Sequence, residues 1–179
     1  MKKLLIVFIF LIVFITGCSL GGNTPSDKVA YFLDRYKNNE TVVINELNQY
    51  LDSEKIDDDL RDDYKEVYLR QYTNLKYNIK DETINADEAT VDVQITVFDY
   101  FKSNKLSGDY FITNNSEFVL EDGSIDENKY ASYKINKLLE TTDTVDYTIT
   151  FNLQKLDGEW VVQDLSLEEL SKIHGTYEY

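Results

Sequence analysis

The clearest structural signal in this chain is the stretch VDYTITFNLQKLDGEWVV, residues 145–162. Apolar and polar residues alternate along its first half, and this period of two places successive side chains on opposite faces of a β-strand. Asp157-Gly158 then supplies a turn, because glycine tolerates the positive φ that tight hairpins require. The stretch predicts an antiparallel hairpin with one buried face, whose inward residues are Val145, Tyr147, Ile149, Phe151, Leu153, Trp160 and Val162.

Two earlier segments, residues 75–80 and 89–97, show the same alternation and are separated by a polar turn. Each predicts a strand with one buried face. The strands would pair antiparallel with each other and join the hairpin in a sheet of about four strands. The apolar members of the two segments are Leu75, Tyr77, Ile79, Ala89, Val91, Val93, Ile95 and Val97.

Helical periodicity fills the region before the first strand. Thr24 suits an N-cap and Pro25 the first turn of a helix that should end near Asn38-Asn39. A second apolar stripe covers residues 43–51, and a third helix is predicted to open at Ser53-Glu54 and to run through Tyr72. These amphipathic helices need an apolar partner, which the sheet would provide.

The rest of the chain contains three weaker helical signals. Residues 98–121 are the least regular, and we expect a short helix at 102–110 followed by loops. Residues 126–141 repeat apolar side chains at helical spacing. Ser166 and Glu169 form a capping-box pattern for a last short helix, which Gly175 would end. Together these elements predict an α+β fold, with a curved antiparallel sheet packed on N-terminal helices in a single domain over residues 24–179.

Residues 1–17 have the features of a signal peptide: Lys2 and Lys3 precede a twelve-residue apolar run over residues 4–15. That run is shorter than the ~20 residues of a transmembrane helix and lies within the ~7 to 15 residues of a signal-peptide core. Ile15-Thr16-Gly17-Cys18 resembles the lipobox of bacterial lipoproteins. The alternative is an ordinary secretory signal followed by an incidental cysteine.

The lipobox resemblance implies cleavage between Gly17 and Cys18 and attachment of diacylglyceryl to the Cys18 sulfur, with a further acyl chain such as palmitate in many bacteria. Two acyl chains suffice for stable anchoring. Polar residues 18–23 would then tether the domain to the outer face of the cytoplasmic membrane. Cys18 is the chain's one cysteine, so the domain cannot be held by a disulfide.

The chain is strongly acidic, with 33 Asp and Glu against 18 Lys and Arg. Loss of Lys2 and Lys3 with the signal would take the formal charge from −15 to −17. This sign argues against nucleic acid and anionic lipid as electrostatic partners. The membrane contact predicted here is made by the lipid on Cys18.

Four segments resemble the small NTF2-like, or cystatin-like, lipoproteins of low-GC Gram-positive bacteria. The resemblance implies a cone-shaped domain in which a curved sheet wraps its helices. Members of this family range from enzymes to binding and scaffolding modules, so the resemblance implies a shape and no particular activity. The four segments are NADEATV at 85–91, YTITF at 147–151, LDGEWVV at 156–162 and LSKIHGTY at 170–177.

Catalytic and metal-binding patterns are sparse. His174 has no nucleophile placed beside it by any motif, and we expect a dipole contact of its protonated form with a helix C-terminus. Carboxylates at Asp122 and Asp126 lack the spacing of a calcium loop, and neither cofactor nor metal is predicted. The acidic run is interpreted as a solvated helix face rather than a cation site; its members are Asp57, Asp58, Asp59, Asp62 and Asp63.

We expect the inward aromatic residues of the predicted sheet to belong mainly to the hydrophobic core. If the cone is open, some of them would line its mouth and contact a ligand. The candidate pocket residues are Tyr77, Asp99, Tyr147, Phe151 and Trp160. The leading hypothesis is a non-enzymatic module that binds a protein partner or a small ligand at the cell envelope. The alternative is a small enzyme that uses a pocket carboxylate such as Asp99 as acid or base. A third hypothesis is a substrate-binding protein that serves a transporter. Such proteins usually need two lobes, whereas this chain is long enough for one.

Overall fold

The structure is a computed structural model that describes residues 22–53, 56 and 58–179. The predicted signal peptide, Cys18 and most of the tether lie outside the described residues, as does Asp57. In the described part of the chain, no helix is both long and apolar enough to cross a membrane.

In the described part of the chain, three helices come first, a sheet interrupted by two further helices follows, and a last helix ends the order of elements. A single 3-10 turn, Asn115–Phe118, follows the fourth helix. The helices are α1 Pro25–Lys37, α2 Thr41–Ser53, α3 Asp58–Asn74, α4 Tyr100–Thr113, α5 Glu127–Glu140 and α6 Leu167–His174. The strands are β1 Lys76–Asn85, β2 Glu88–Phe98, β3 Thr144–Leu156 and β4 Glu159–Val162.

The sheet confirms the predicted α+β fold class. Its four strands lie in chain order, β1-β2-β3-β4, and every neighbouring pair is antiparallel. Ile95 lies opposite Tyr147 and Val91 opposite Phe151, so the apolar residues of β2 and β3 share one face. Asp157 and Gly158 both have positive φ, 51° and 87°, as the turn between β3 and β4 requires. The curved four-stranded sheet is consistent with an NTF2-like cone.

Helix α1 begins as the sequence predicts. Thr24 accepts a hydrogen bond from the backbone N–H of Asp27, and Asp27 accepts one from the backbone of Thr24, which completes a capping box. Val29 and Leu33 on its inner face are fully buried against the sheet. The capping box predicted for α6 at Ser166 and Glu169 is also present, and Gly175 ends that helix in the left-handed region.

Three element boundaries differ from the predictions. Helix α3 begins at Asp58 rather than at Ser53-Glu54, because Ser53 is the last residue of α2. Strand β1 continues to Asn85, and a register shift between Ile79 and Asp81 explains why its alternation stops being visible at Lys80.

The third difference concerns residues 98–121. Helix α4 spans Tyr100–Thr113, longer than the predicted 102–110, and Asp99 caps it by accepting from the backbone N–H of Lys102. Beyond the 3-10 turn, Val119 and Ile125 pair in an isolated antiparallel bridge. This segment is therefore an ordered helical hairpin with α5 rather than a set of loops.

Most of the buried apolar residues described by the structure fall in two clusters. The larger lies between the sheet and α1, α2, α3 and α6. The smaller lies between α3 and the α4–α5 hairpin, and its buried members are Leu60, Val67, Tyr100, Ile135 and Leu138.

Candidate functional site

A cavity of about 640 Å³ opens between α1, α2, strand β4 and the segment 163–174. We call it the aromatic groove, because aromatic rings supply much of its wall. The chain's one tryptophan and one histidine both line it. Its aromatic lining residues are Tyr31, Phe32, Tyr36, Tyr50, Tyr72, Trp160 and His174.

Helix α1 supplies one wall of the aromatic groove. Phe32 and Tyr36 lie one helical turn apart, with ring centroids 5.5 Å from each other. Phe32 also meets Phe151 of the sheet edge-on at 5.8 Å, and Tyr36 meets Tyr72 of α3 edge-on at 5.1 Å. These contacts continue into the core, so this wall is fixed by the same packing that holds the helix on the sheet.

Charged groups lie at a few points of the aromatic groove. The Lys28 ammonium pairs with Glu159 Oε2 at 2.8 Å. The Arg35 guanidinium lies 5.6 Å from the centroid of the Phe32 ring, and one of its terminal nitrogens is 3.9 Å from Glu46 Oε1. Asp164 is the second acidic lining residue. The groove thus combines apolar walls with a small number of charges, as ligand sites usually do.

His174 closes the inner end of the aromatic groove. Its Nε2 lies 2.9 Å from the Tyr72 hydroxyl, and its ring packs against Tyr50, Tyr68 and Tyr72 at centroid distances of 5.4, 5.0 and 5.8 Å. This enclosure disfavours the charged imidazolium, and burial lowers the pKa of His174 to about 4. The imidazole is therefore neutral at pH 7. The predicted dipole contact of a protonated His174 with the end of α6 is wrong for this reason.

The pKa of His174 predicts how stability depends on pH. Because the folded state holds this group unprotonated down to about pH 4, the unfolded chain binds more protons between there and about pH 6.5, and stability falls as the pH drops through that window. Relative to pH 7.5, we expect His174 alone to remove about 2 kcal/mol of unfolding free energy at pH 5. Urea titrations of the wild type and of His174→Gln at both pH values check this, and equal pH dependence in the two proteins would contradict it.

The predicted pocket residues do not come together. Trp160 lines the aromatic groove. Tyr77, Tyr147 and Phe151 do not line it: Phe151 is fully buried in the core, and the Tyr147 hydroxyl donates to the carbonyl oxygen of Tyr177 at 2.9 Å. The Tyr77 hydroxyl donates to Asp34 Oδ1 at 3.0 Å, and burial, followed by that hydrogen bond, raises the pKa of Tyr77 to about 12. The inward face of the sheet is thus mostly closed by the helices.

Asp99 lies apart from the aromatic groove, beside a smaller cavity of about 350 Å³ between α4 and α5. Its Oδ1 accepts from the backbone N–H of Lys102 at 2.9 Å, and its Oδ2 accepts from the Tyr179 hydroxyl at 2.6 Å. Both carboxylate oxygens are therefore occupied in holding the start of α4 and the C-terminal segment. The acid-or-base role suggested for Asp99 has no support in this arrangement.

The acidic residues of α3 are exposed, as a solvated helix face requires: Asp58, Asp59, Asp62 and Asp63 all face solvent. Asp122 accepts from the backbone and hydroxyl of Ser124, which makes a local turn. Among the described residues, no group of three or more His, Cys, Asp and Glu is arranged to hold a metal ion.

Sequence reasoning missed Arg35, Tyr72 and Gln71. The third predicted helix runs through Gln71 and Tyr72, but their partner His174 in α6 lies 103 and 102 positions further along the chain. Gln71 is fully buried, and its amide donates to the carbonyl oxygens of Phe98 at 3.0 Å and His174 at 2.9 Å. Arg35 gave no signal, because a lone arginine beside an apolar stripe is usually a solvated residue.

Comparisons with known proteins add little to these observations. No protein-family model matches the chain, and a search of curated proteins gave no match. A search of solved structures found a crystal structure of a "putative lipoprotein (ycdA)" from Bacillus subtilis, with 14% sequence identity and a TM-score of 0.42. The match covers 76% of this chain and 45% of the other, so this chain spans less than half the length of that protein. At this level of similarity neither fold nor function is transferred, and no family is assigned.

Proposed function

We propose that this chain is an extracytoplasmic lipoprotein whose domain binds a small, largely apolar ligand in the aromatic groove without transforming it. The observation that carries the proposal is the groove itself. Its volume of about 640 Å³ lies within the ~300–1,000 Å³ typical of small-molecule sites. Its concave, aromatic shape favours a small ligand over the flat contact that a protein partner usually makes.

A binding role fits the chemistry of the groove better than catalysis does. His174 is the obvious candidate base, but a pKa near 4 leaves it a weak base at pH 7, far from the optimum for proton transfer. Asp99, the carboxylate of the alternative hypothesis, is committed to structural hydrogen bonds elsewhere.

An NTF2-like assignment belongs to the same proposal. The antiparallel sheet with helices α1, α2 and α3 packed on one face supports it, together with the four sequence segments named above. The cone would then open toward α1, α2 and β4, where the aromatic groove lies.

Lipid anchoring is tested by Cys18→Ala. Without the thiol no thioether can form, so we expect the protein to leave the membrane fraction or to accumulate as a precursor of higher mass. Cell fractionation followed by mass spectrometry measures both outcomes. Membrane-bound protein of mature size in the Cys18→Ala strain would overturn this half of the proposal.

Ligand binding is tested with the mature chain, residues 18–179 carrying Cys18→Ser, which contains the entire described fold. The neutral fluorophore N-phenyl-1-naphthylamine serves as probe, and transfer of excitation from Trp160 reports its position. Tyr31 lines the groove and is 62% exposed, so Tyr31→Ala removes a wall without disturbing the core. We expect it to weaken binding about threefold to tenfold, the value of one aromatic contact.

Leu167→Ala is the matched control, because Leu167, the first residue of α6, is 84% exposed and lies outside the groove. This variant should bind the probe as the wild type does. Equal weakening by both variants, or absence of energy transfer from Trp160, would show that the aromatic groove is not the binding site.

A further inference from the structure

We infer that the ligand of the aromatic groove carries a carboxylate and that the Arg35 guanidinium binds it. This inference rests on the proposed function and specifies the chemistry of the ligand. An apolar body would contact the aromatic walls, and the carboxylate would lie at the rim beside α1.

Arg35 is mostly covered by protein but poorly partnered. Its side chain is 22% exposed, and its Nε is buried without a hydrogen-bond partner among the described residues. None of the five N–H donors of the Arg35 guanidinium forms a hydrogen bond to any residue that the structure describes. Its nearest carboxylate oxygen is Glu46 Oε1 at 3.9 Å, too long for a hydrogen bond.

The chain has two other arginines, and the guanidinium of each forms hydrogen bonds within the protein. Arg61 pairs with Asp52 at 2.8 Å and donates to the carbonyl oxygen of Asn48 at 3.0 Å. Arg70 donates to the carbonyl oxygen of Thr141 at 2.7 Å, while its guanidinium stacks 3.8 Å from the centroid of Phe98. Arg35 is therefore the exception, and it is the arginine that lines the groove.

The guanidinium of Arg35 is also held in place. Its central carbon lies 5.6 Å from the centroid of the Phe32 ring, and this cation–π contact favours a position at the edge of the aromatic wall. A planar, pre-positioned fork of donors matches the two oxygens of a carboxylate. Because apolar rings surround the site, an ion pair formed there is stronger than one in open solvent.

The remaining charges of the groove favour one negative charge over two. Glu46 and Asp164 also line it, and their repulsion grows with the charge of the ligand. Lys28 is already paired with Glu159. A monoanionic carboxylate therefore suits this site better than a doubly charged phosphate.

The test compares two probes of nearly equal shape, 3-phenylpropionate and its neutral amide, 3-phenylpropionamide. NMR titration of the mature chain follows the Trp160 indole N–H and the His174 imidazole protons, which report on the groove directly. We expect the acid to bind at least about tenfold more tightly than the amide, as hydrogen bonds to a charged group imply.

Arg35→Gln should reduce the affinity for the acid to that for the amide, and Arg35→Lys, which keeps the charge but loses the fork, should cause a smaller loss. Lys37→Gln is the matched control, since it removes the same charge from α1 outside the groove. Glu46→Gln should raise the affinity for the acid about twofold or more, because a nearby negative charge is removed. A dispersed amide spectrum like that of the wild type shows that each variant is folded, independently of how it binds either probe.

Two outcomes separate the inference from the proposed function. Equal binding of acid and amide to the wild type, or equal loss of acid binding in Arg35→Gln and Lys37→Gln, would overturn the role of Arg35 and leave the groove as the ligand site. Absence of any shift of Trp160 and His174 with either probe would overturn both.

Discussion

Gly175→Ala should lower the free energy of unfolding by about 3 to 5 kcal/mol, through backbone strain and overpacking together. Gly175 has a φ of 71°, in the left-handed region that disfavours a side chain. A methyl group there would collide with the Gln71 amide nitrogen and with the carbonyl oxygen of Phe98. Neither neighbour can retreat easily, since one is backbone and the other is hydrogen-bonded on both ends. Urea denaturation monitored by Trp160 fluorescence measures the loss.

Two other glycines provide a control for the strain alone. Gly123 and Gly158 have φ of 86° and 87°, and a methyl group at either would meet nothing within 4 Å. Alanine at these positions should cost about 1 to 2 kcal/mol, the penalty of the left-handed conformation alone. If Gly175→Ala were no more destabilising than Gly158→Ala, the close packing at Gly175 would be refuted.

Gln71→Leu should be similarly severe, with a loss of about 3 to 5 kcal/mol, because leucine fills the space but leaves buried polar groups without partners. Gln71 accepts from the backbone N–H of Phe98 at 2.9 Å and donates to the carbonyl oxygens of Phe98 and His174. It thereby joins α3, the end of β2 and the end of α6. Chemical denaturation again measures the effect.

The matched control for this prediction is Gln154→Leu, at an exposed position of β3. It should change stability by no more than about 0.5 kcal/mol, as surface substitutions usually do. A loss below 1 kcal/mol for Gln71→Leu would mean that the buried amide contributes little to holding these three elements together.

The sheet could be predicted from the sequence because burial on one face leaves a period of two, and β2 and β3 keep that period without interruption. The predicted first strand ended too early, because the register shift after Ile79 reverses the alternation of apolar and polar residues in β1. The boundary between α2 and α3 was misplaced because Ser53 resembles an N-cap, whereas the acids Asp58 and Asp59 fill the first turn of α3.

The candidate site could not be predicted in the same way. Its walls come from α1, α2, β4 and α6, and no local pattern records how these elements meet. Trp160 was named because it is a large inward ring, but so were Tyr147 and Phe151, which the helices cover. Arg35 became informative only when the hydrogen bonds of all three arginines could be compared.

The division of the interior into two apolar clusters implies that the molecule opens in parts. The smaller cluster is built from α3 and the α4–α5 hairpin. The chain leaves the sheet for this hairpin after Phe98 and returns to the sheet at Thr144, which lies opposite Phe98. We therefore expect the hairpin to open while β2 and β3 stay paired. Amide protons of α4 and α5 should exchange with solvent sooner than those of β2 and β3, because opening the hairpin does not require global unfolding.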